Sequence, residues 1–252
     1  MIPKTALVTG GGKRLGRAIA LALAEAGYAV AIHYNDSTVD AAETAADVAA
    51  FGVKSIVLKA DLSDENAVRG LVPAATAALG PIGVLVNNAS TFERDEWDDV
   101  TRASWDRHIE PNLRAPFVLM QDFARALPAD AEGLVVNMLD ERVWSLTPHF
   151  VSYTVSKMGL WGLTQSMALA LAPRIRVNGI GPGPALPNSR QTQAQFDRQA
   201  RSVPLQRGPE LAEIGRAVLA MLELRSMTGQ MIALDGGQHL QWGPNAGAQV
   251  EE

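Results

Sequence analysis

Seven short apolar runs lie along the chain with helical segments between them, and this alternation constrains the fold more than any other feature. The runs are TALVT at 5–9, AVAIHY at 29–34, SIVLKA at 55–60, VLVNNA at 84–89, GLVVNML at 133–139, and then IRVNGIG and QMIALDG. Each has the length of a strand buried on both faces. The alanine-rich stretches between them carry apolar residues at helical spacing, as Leu15, Ile19, Ala22 and Leu23 do in the first. Strand and helix in alternation build an α/β protein, a parallel sheet with helices on both faces. A chain of 252 residues, 47% of them apolar, is large enough for one such core, so a single domain is expected over residues 1–242.

Composition narrows the partners. Basic residues number 22 against 27 acidic, a net charge of −5 with no basic block, which argues against nucleic acid and for a small-molecule substrate. With no cysteine there is neither a disulfide framework nor a cysteine-held metal. His33, His108, His149 and His239 are scattered without a ligand-type pair, so no catalytic metal is expected. No apolar run approaches the ~20 residues of a membrane span. Met1 leads straight into a strand without a secretory leader, and a cytoplasmic enzyme is expected. Residues 179–209 break the rhythm with prolines and glycines around a polar helical insert. Two readings stay open for this segment: a mobile flap, about 183–209, over a site, or a surface excursion. The polar tail 243–252 is expected to be poorly ordered.

The first strand ends in TGGGKRLGRAIA, a glycine-rich turn opening a helix near Leu15. Unpaired N–H groups at a helix start attract anions. Gly10, Gly12 and Gly16 allow the turn, close ligand approach and helix–strand contact. Lys13 and Arg14 stand where bulk is hardest to fit, and a guanidinium binds phosphate oxygens in pairs, which points to the extra phosphate of NADP; solvated loop charges are the alternative. The end of the second strand carries Tyr34, Asn35 and Ser37 rather than the acidic residue that commonly holds the ribose of NAD. Asp36 stands against this choice, since it can also turn toward the ribose.

Tyr153 and Lys157 in YTVSK are four apart, one helical turn, so their side chains point the same way. An ammonium near a phenol favours the phenolate, and such a tyrosine gives and takes protons. Together with the opening turn, the alternation and NNAS at 87–90, this pair makes the chain resemble the short-chain dehydrogenase/reductase superfamily over nearly its whole length. The resemblance implies a Rossmann-type doubly wound sheet of about seven strands, hydride transfer with a nicotinamide cofactor, and a homotetramer. It implies that Leu15, Asp61, Leu62, Asn88, Ala89, Ser90, Pro182 and Gly183, with Tyr153 and Lys157, touch the cofactor, and that Asn112 in EPNLRAPF carries protons by a water-linked path.

Thirteen positions before the tyrosine, where the superfamily usually has a serine facing a substrate carbonyl, this chain has Asp140. A carboxylate there opposes the charge that builds on a reduced carbonyl oxygen but suits a substrate presenting N–H groups. A structural aspartate, with Ser145 or Thr147 doing the work of the serine, is the alternative. TGGGKRLGRAIA, GYAVAIHYNDS, VNNASTF and NMLDE together resemble the pteridine reductases and bacterial dihydromonapterin reductases. That resemblance implies NADPH as cofactor and a pterin or folate as substrate. Its catalytic set is Asp140, Tyr153 and Lys157, with Phe92 stacking on the pterin and Arg14 and Ser90 also contacting it. Phe92 can equally cap the core. Arg142 and Trp144 either border the pocket or pack elsewhere; the histidines are expected to be satisfied polar residues, with His149, four residues before Tyr153, near the cleft as the alternative. Two rivals remain: an NADP(H)-dependent carbonyl reductase of a ketone or acyl substrate, and a non-catalytic NADP-binding regulator.

Overall fold

The computed structural model describes residues 1–188 and 190–241; the tail expected to be poorly ordered, 243–252, lies outside them. Strands β1 (Thr5–Val8), β2 (Ala29–Tyr34), β3 (Ser55–Lys59), β4 (Val84–Asn87), β5 (Gly133–Met138), β6 (Ile175–Pro182) and β7 (Met231–Leu234) coincide with the seven apolar runs. All pair in parallel in the order β3-β2-β1-β4-β5-β6-β7. The chain winds outward in one direction from β1 to β3, then returns to place β4 on the other side of β1. This doubly wound order opens a crevice beyond the carboxyl ends of β1 and β4, where such sheets hold ligands.

Helices cover both faces. On one, α1 (Arg14–Glu25), α2 (Thr38–Ala49) and α8 (Leu211–Glu223) bury Ile19, Leu23, Val48, Val218 and Met221 against Val8, Val30 and Val136. On the other, α3 (Glu65–Leu79) and α5 (Ala115–Ala126) bury Leu71, Leu119 and Phe123 against Leu85 and Val135, and α6 (Val151–Leu171) joins them with Ala168. Helix α4 (Arg102–Ile109) runs into α5 through a π-helical turn, Glu110–Arg114. The polar helix expected between β6 and β7 is α7 (Gln193–Ser202), inside the segment that follows Pro182.

A buried polar chain fixes α6 to the sheet. Asn87 Nδ2 donates to Asn137 Oδ1 (2.8 Å), Asn137 Nδ2 to Thr164 Oγ1 (2.9 Å), and the threonine hydroxyl to the Leu160 carbonyl (2.7 Å). All three side chains are buried; Asn87 Oδ1 has no partner among the described residues, and the bonds that are made tie β4, β5 and α6 together. The helix that carries Tyr153 and Lys157 is thereby held in register with β4 and β5.

The turn after β1 is as tight as its glycines imply. Gly10 has φ +59°, and a Cβ on Gly16 would sit 2.1 Å from the Gly10 carbonyl oxygen. Gly16→Ala is expected to lower stability by about 2 kcal/mol or more, because backbone must move. Gly70, within α3, meets nothing within 4 Å, so Gly70→Ala is expected to stabilise by about 0.5–1 kcal/mol. Urea unfolding of the pair checks this: equal effects would contradict the described turn.

Candidate functional site

Two adjoining cavities occupy the crevice and share Arg14, Leu15, Asn88 and Ser90. One, of about 500 Å³, is lined by Gly10, Lys13 and Gly16 of the turn, and by Tyr34, Asn35, Asp36 and Ser37 after β2. Asp61 and Leu62 after β3 and Ala89 after β4 complete the set expected there. The other, of about 280 Å³, is lined by Phe92, Asp140, Tyr153, Lys157, Pro182 and Gly183. Of the catalytic, cofactor and substrate residues expected at the site, Asn112 alone among the described residues lines neither.

The larger cavity fits a dinucleotide. Helix α1 begins there with Lys13 at its cap, no side chain capping it and no acidic residue in its first turn, so its leading N–H groups are left for an anion. The turn is pinned from behind by His33, a residue without a signal in the sequence. The Gly10 N–H donates to His33 Nδ1 (3.1 Å), so Nε2 carries the proton and donates to the Ala60 carbonyl (3.0 Å). Burial lowers the pKa of this histidine, against the raising effect of the Ala60 bond, and keeps it neutral as the contact requires. Arg14, at φ +54°, aims out of the turn: its Nη1 donates to the Pro187 carbonyl (2.9 Å) and its Nη2 to that of Leu186 (3.4 Å).

In the smaller cavity the Tyr153 hydroxyl donates to Asp140 Oδ2 at 2.7 Å. Asp140 caps the 3-10 turn Glu141–Val143 by accepting from the Arg142 N–H (2.9 Å), and Arg142 Nε lies 3.9 Å from Asp140 Oδ1. Lys157, 3% exposed, donates from Nζ to the Met138 carbonyl (2.7 Å). Burial lowers its pKa to about 8, against the pull of the Asp140 charge. The cation therefore prevails at neutral pH and is lost on mild alkalinisation. Neither Ser145 nor Thr147 is part of the cavity wall, which leaves Asp140 as the side chain beside the Tyr153 hydroxyl.

Phe92 stacks on Phe150 (centroids 4.7 Å apart, planes at 10°) and meets Tyr153 edge-on (4.7 Å). The guanidinium groups of Arg142 and Arg190 lie 5.5 and 5.3 Å from its ring centre. Asn112, in the π-helical turn, accepts from the Thr91 N–H (2.8 Å) and donates to the Thr91 carbonyl (2.9 Å) and to Ser156 Oγ (3.1 Å), so it holds the strand of chain leading to Phe92. Arg142 lines the cavity, whereas Trp144 packs edge-on against Trp161 and His239. His149 lies outside the wall, bonded through Nδ1 to Glu96 Oε2 (2.8 Å).

A second anchor of the Phe92 loop has no sequence signature, because its members are 13 and 44 residues apart. The Glu93 N–H donates to His108 Nε2 (3.0 Å), leaving the proton on Nδ1, 2.7 Å from Ser152 Oγ. The Ser152 hydroxyl in turn donates to Asp95, and all three side chains are buried. Phe150, at φ +58°, passes its N–H to the Asp95 carbonyl (2.9 Å). The start of α6 and the loop after β4 are thus tied together at the mouth of the cavity.

The fold, the glycine turn and the tyrosine–lysine pair define a class: the chain belongs to the short-chain dehydrogenase/reductase family and is an oxidoreductase of that family. Residues 12–239 match the family model described as enoyl-(acyl carrier protein) reductase. The 3-oxoacyl-[acyl-carrier-protein] reductase FabG of Staphylococcus aureus is 32% identical over 244 residues, 94% of this chain and 98% of the relative. Among solved structures, FolM alternative dihydrofolate reductase 1 from Brucella canis, complexed with NADP, is 50% identical with a TM-score of 0.91, covering 97% of this chain and 98% of its own. The Brucella suis protein of the same name, also with NADP, is 51% identical with a TM-score of 0.92, covering 97% of each chain.

The Asp95–Ser152–His108 chain leads to a direct test. Ser152→Ala strips a donor from a buried carboxylate and is expected to cost about 2–3 kcal/mol in urea unfolding. A loss below about 0.5 kcal/mol would contradict the described network.

Proposed function

We propose that this protein is an NADPH-dependent reductase of a dihydropterin or dihydrofolate. The observation that carries the reading is the acceptor at Asp140, hydrogen-bonded to Tyr153. A carboxylate in that position repels the oxygen of a ketone under reduction and welcomes the N–H groups of a nitrogen heterocycle. The half-identity with two proteins called alternative dihydrofolate reductases supports the same choice. A second reading, reduction of a 3-oxoacyl thioester, is favoured by the kinship with FabG at 32% identity.

The turn Gly10–Gly16 would hold the pyrophosphate. Lys13 and Ser37 would hold the additional phosphate that separates NADP from NAD, while Asp61 and Leu62 border the adenine and Pro182, Gly183, Tyr153 and Lys157 the nicotinamide end. When bound, the reduced cofactor supplies a hydride. Phe92, Ser90 and Arg14 orient a flat substrate so that the carbon of a C=N bond accepts it. Tyr153 and Asp140 share one proton across their 2.7 Å bond and deliver it to the nitrogen, so that the two hydrogens of the reduction add across C=N. Lys157, charged and shielded from water, offsets the negative charge left on the pair, and Asn112 links the resupply of protons to solvent. The segment 183–209 acts as a flap, latched to the turn through Arg14. A homotetramer in the cytoplasm, without membrane or nucleic-acid partners, completes the reading; among the described residues no helix is long and apolar enough to cross a membrane.

An NADPH and NADH oxidation panel with dihydropterins, dihydrofolate, simple ketones and a 3-oxoacyl thioester tests this. Faster turnover of the pterins with NADPH is expected, and Asp140→Ser is expected to lower that rate about 100-fold or more. Preference for the thioester would install the second reading. NADPH binding with no turnover of anything would restore a regulator. The pterin rate is also expected to fall as pH rises through about 8, where Lys157 loses its proton. A rate flat from pH 7 to 10 would remove Lys157 from the charge balance.

A further inference from the structure

The turn after β1 and helix α2 touch at Gly12. A Cβ on Gly12 would lie 3.0 Å from the Ala41 nitrogen and 3.1 Å from its Cα, so the two backbones are in contact there. Beside that contact the Thr44 hydroxyl donates to the Gly12 carbonyl at 2.8 Å, and Thr44 is fully buried. Ser37 stands at the cap position of α2, about two turns before Thr44. Its carbonyl accepts from the Ala41 N–H (3.0 Å), and its side chain makes no capping bond.

The glycine turn has other supports. The Gly10 N–H donates to His33 Nδ1 (3.1 Å), its carbonyl accepts from Asn88 Nδ2 (3.1 Å), and the Gly11 N–H donates to the His33 carbonyl (3.0 Å). What the Thr44 hydroxyl fixes is the place of α2 relative to the turn. Lys13 follows Gly12 directly, and Lys13, Asp36 and Ser37 all line the larger cavity. A phosphate is attracted by an ammonium, accepts a hydrogen bond from a serine hydroxyl and is repelled by a carboxylate. A small movement of α2 against the turn therefore alters the balance among these three groups. The N–H groups that open α1 stay where they are.

We propose that Thr44, which lines neither cavity, is a positioning residue for the cofactor. Through Gly12 it holds the start of α2 against the turn, so that Lys13 and Ser37 act together on the phosphate that separates NADP from NAD. The inference rests on the reading of Lys13 and Ser37 as the holders of that phosphate, and it is independent of which substrate is reduced. It traces the cofactor preference to a buried hydroxyl outside the site.

Calorimetric titration of the full chain with NADPH and with NADH tests it, for wild type, Thr44→Val, Thr44→Ser and Lys13→Met. Wild type is expected to bind NADPH more tightly than NADH. Thr44→Val, which keeps the shape and loses the hydroxyl, is expected to raise the Kd for NADPH about five- to tenfold and that for NADH by less than about twofold. Thr44→Ser, which keeps the hydroxyl, is expected to stay within about twofold of wild type for both. If Thr44→Val does not fold, Thr44→Ala is read in its place with the same expectation. An unchanged Kd for NADPH in the variant without the hydroxyl overturns the inference, whatever the change in urea stability. An equal rise for NADPH and NADH also overturns it, as that marks a general role in the turn, and so does a Thr44→Ser protein that behaves like Thr44→Val. Lys13→Met is expected to erase most of the wild-type preference. A Lys13→Met protein that keeps it, or a wild type that binds both cofactors alike, overturns the reading of the phosphate site and this inference with it.

Discussion

The hydrogen bond from the Tyr153 hydroxyl to Asp140 Oδ2 joins the end of β5 to the first turn of α6, and the chemistry of the smaller cavity is organised around it. Its geometry depends on parts of the fold far from it. The Asn87–Asn137–Thr164 chain locks α6 to the centre of the sheet, and the Asp95–Ser152–His108 chain locks the start of α6 to the loop that carries Phe92. Lys157 stands one turn further along the helix with its charge shielded from water, so a change of charge at the Tyr153–Asp140 pair is felt strongly there.

The same carboxylate does two jobs. Asp140 accepts a hydrogen bond from the Tyr153 hydroxyl with one oxygen, and with the other it accepts from the Arg142 N–H and caps the turn that lines the cavity. A serine there would instead donate to a carbonyl, and it would present no charge to the substrate.

The fold was legible in the sequence because a doubly wound sheet is encoded locally. Each strand is an apolar run, and the helices packed on the sheet, such as α1 and α8, repeat their burial every three or four residues, so all seven strands fell where the runs do. The lining of the larger cavity was legible for a related reason: many of its residues follow the carboxyl ends of β1, β2, β3 and β4. What stayed hidden came together only in three dimensions. His33 reads as one polar residue inside a strand, yet its ring pins Gly10 from 23 residues away. His108, Ser152 and Asp95 belong to three different elements or loops, and Gln238 lines the smaller cavity from beyond the end of the last strand. Arg14 was expected to face phosphate, and the structure aims its guanidinium at the carbonyls of Leu186 and Pro187, a contact between residues more than 170 apart in sequence that no local pattern announces.

The most direct measurement is a crystal structure with NADP and a dihydropterin bound. The account requires a ring nitrogen or N–H of the pterin within hydrogen-bond distance of the Asp140 carboxylate, beside the Tyr153 hydroxyl. A carboxylate turned away from the substrate, with a serine or threonine hydroxyl in its place, would contradict it.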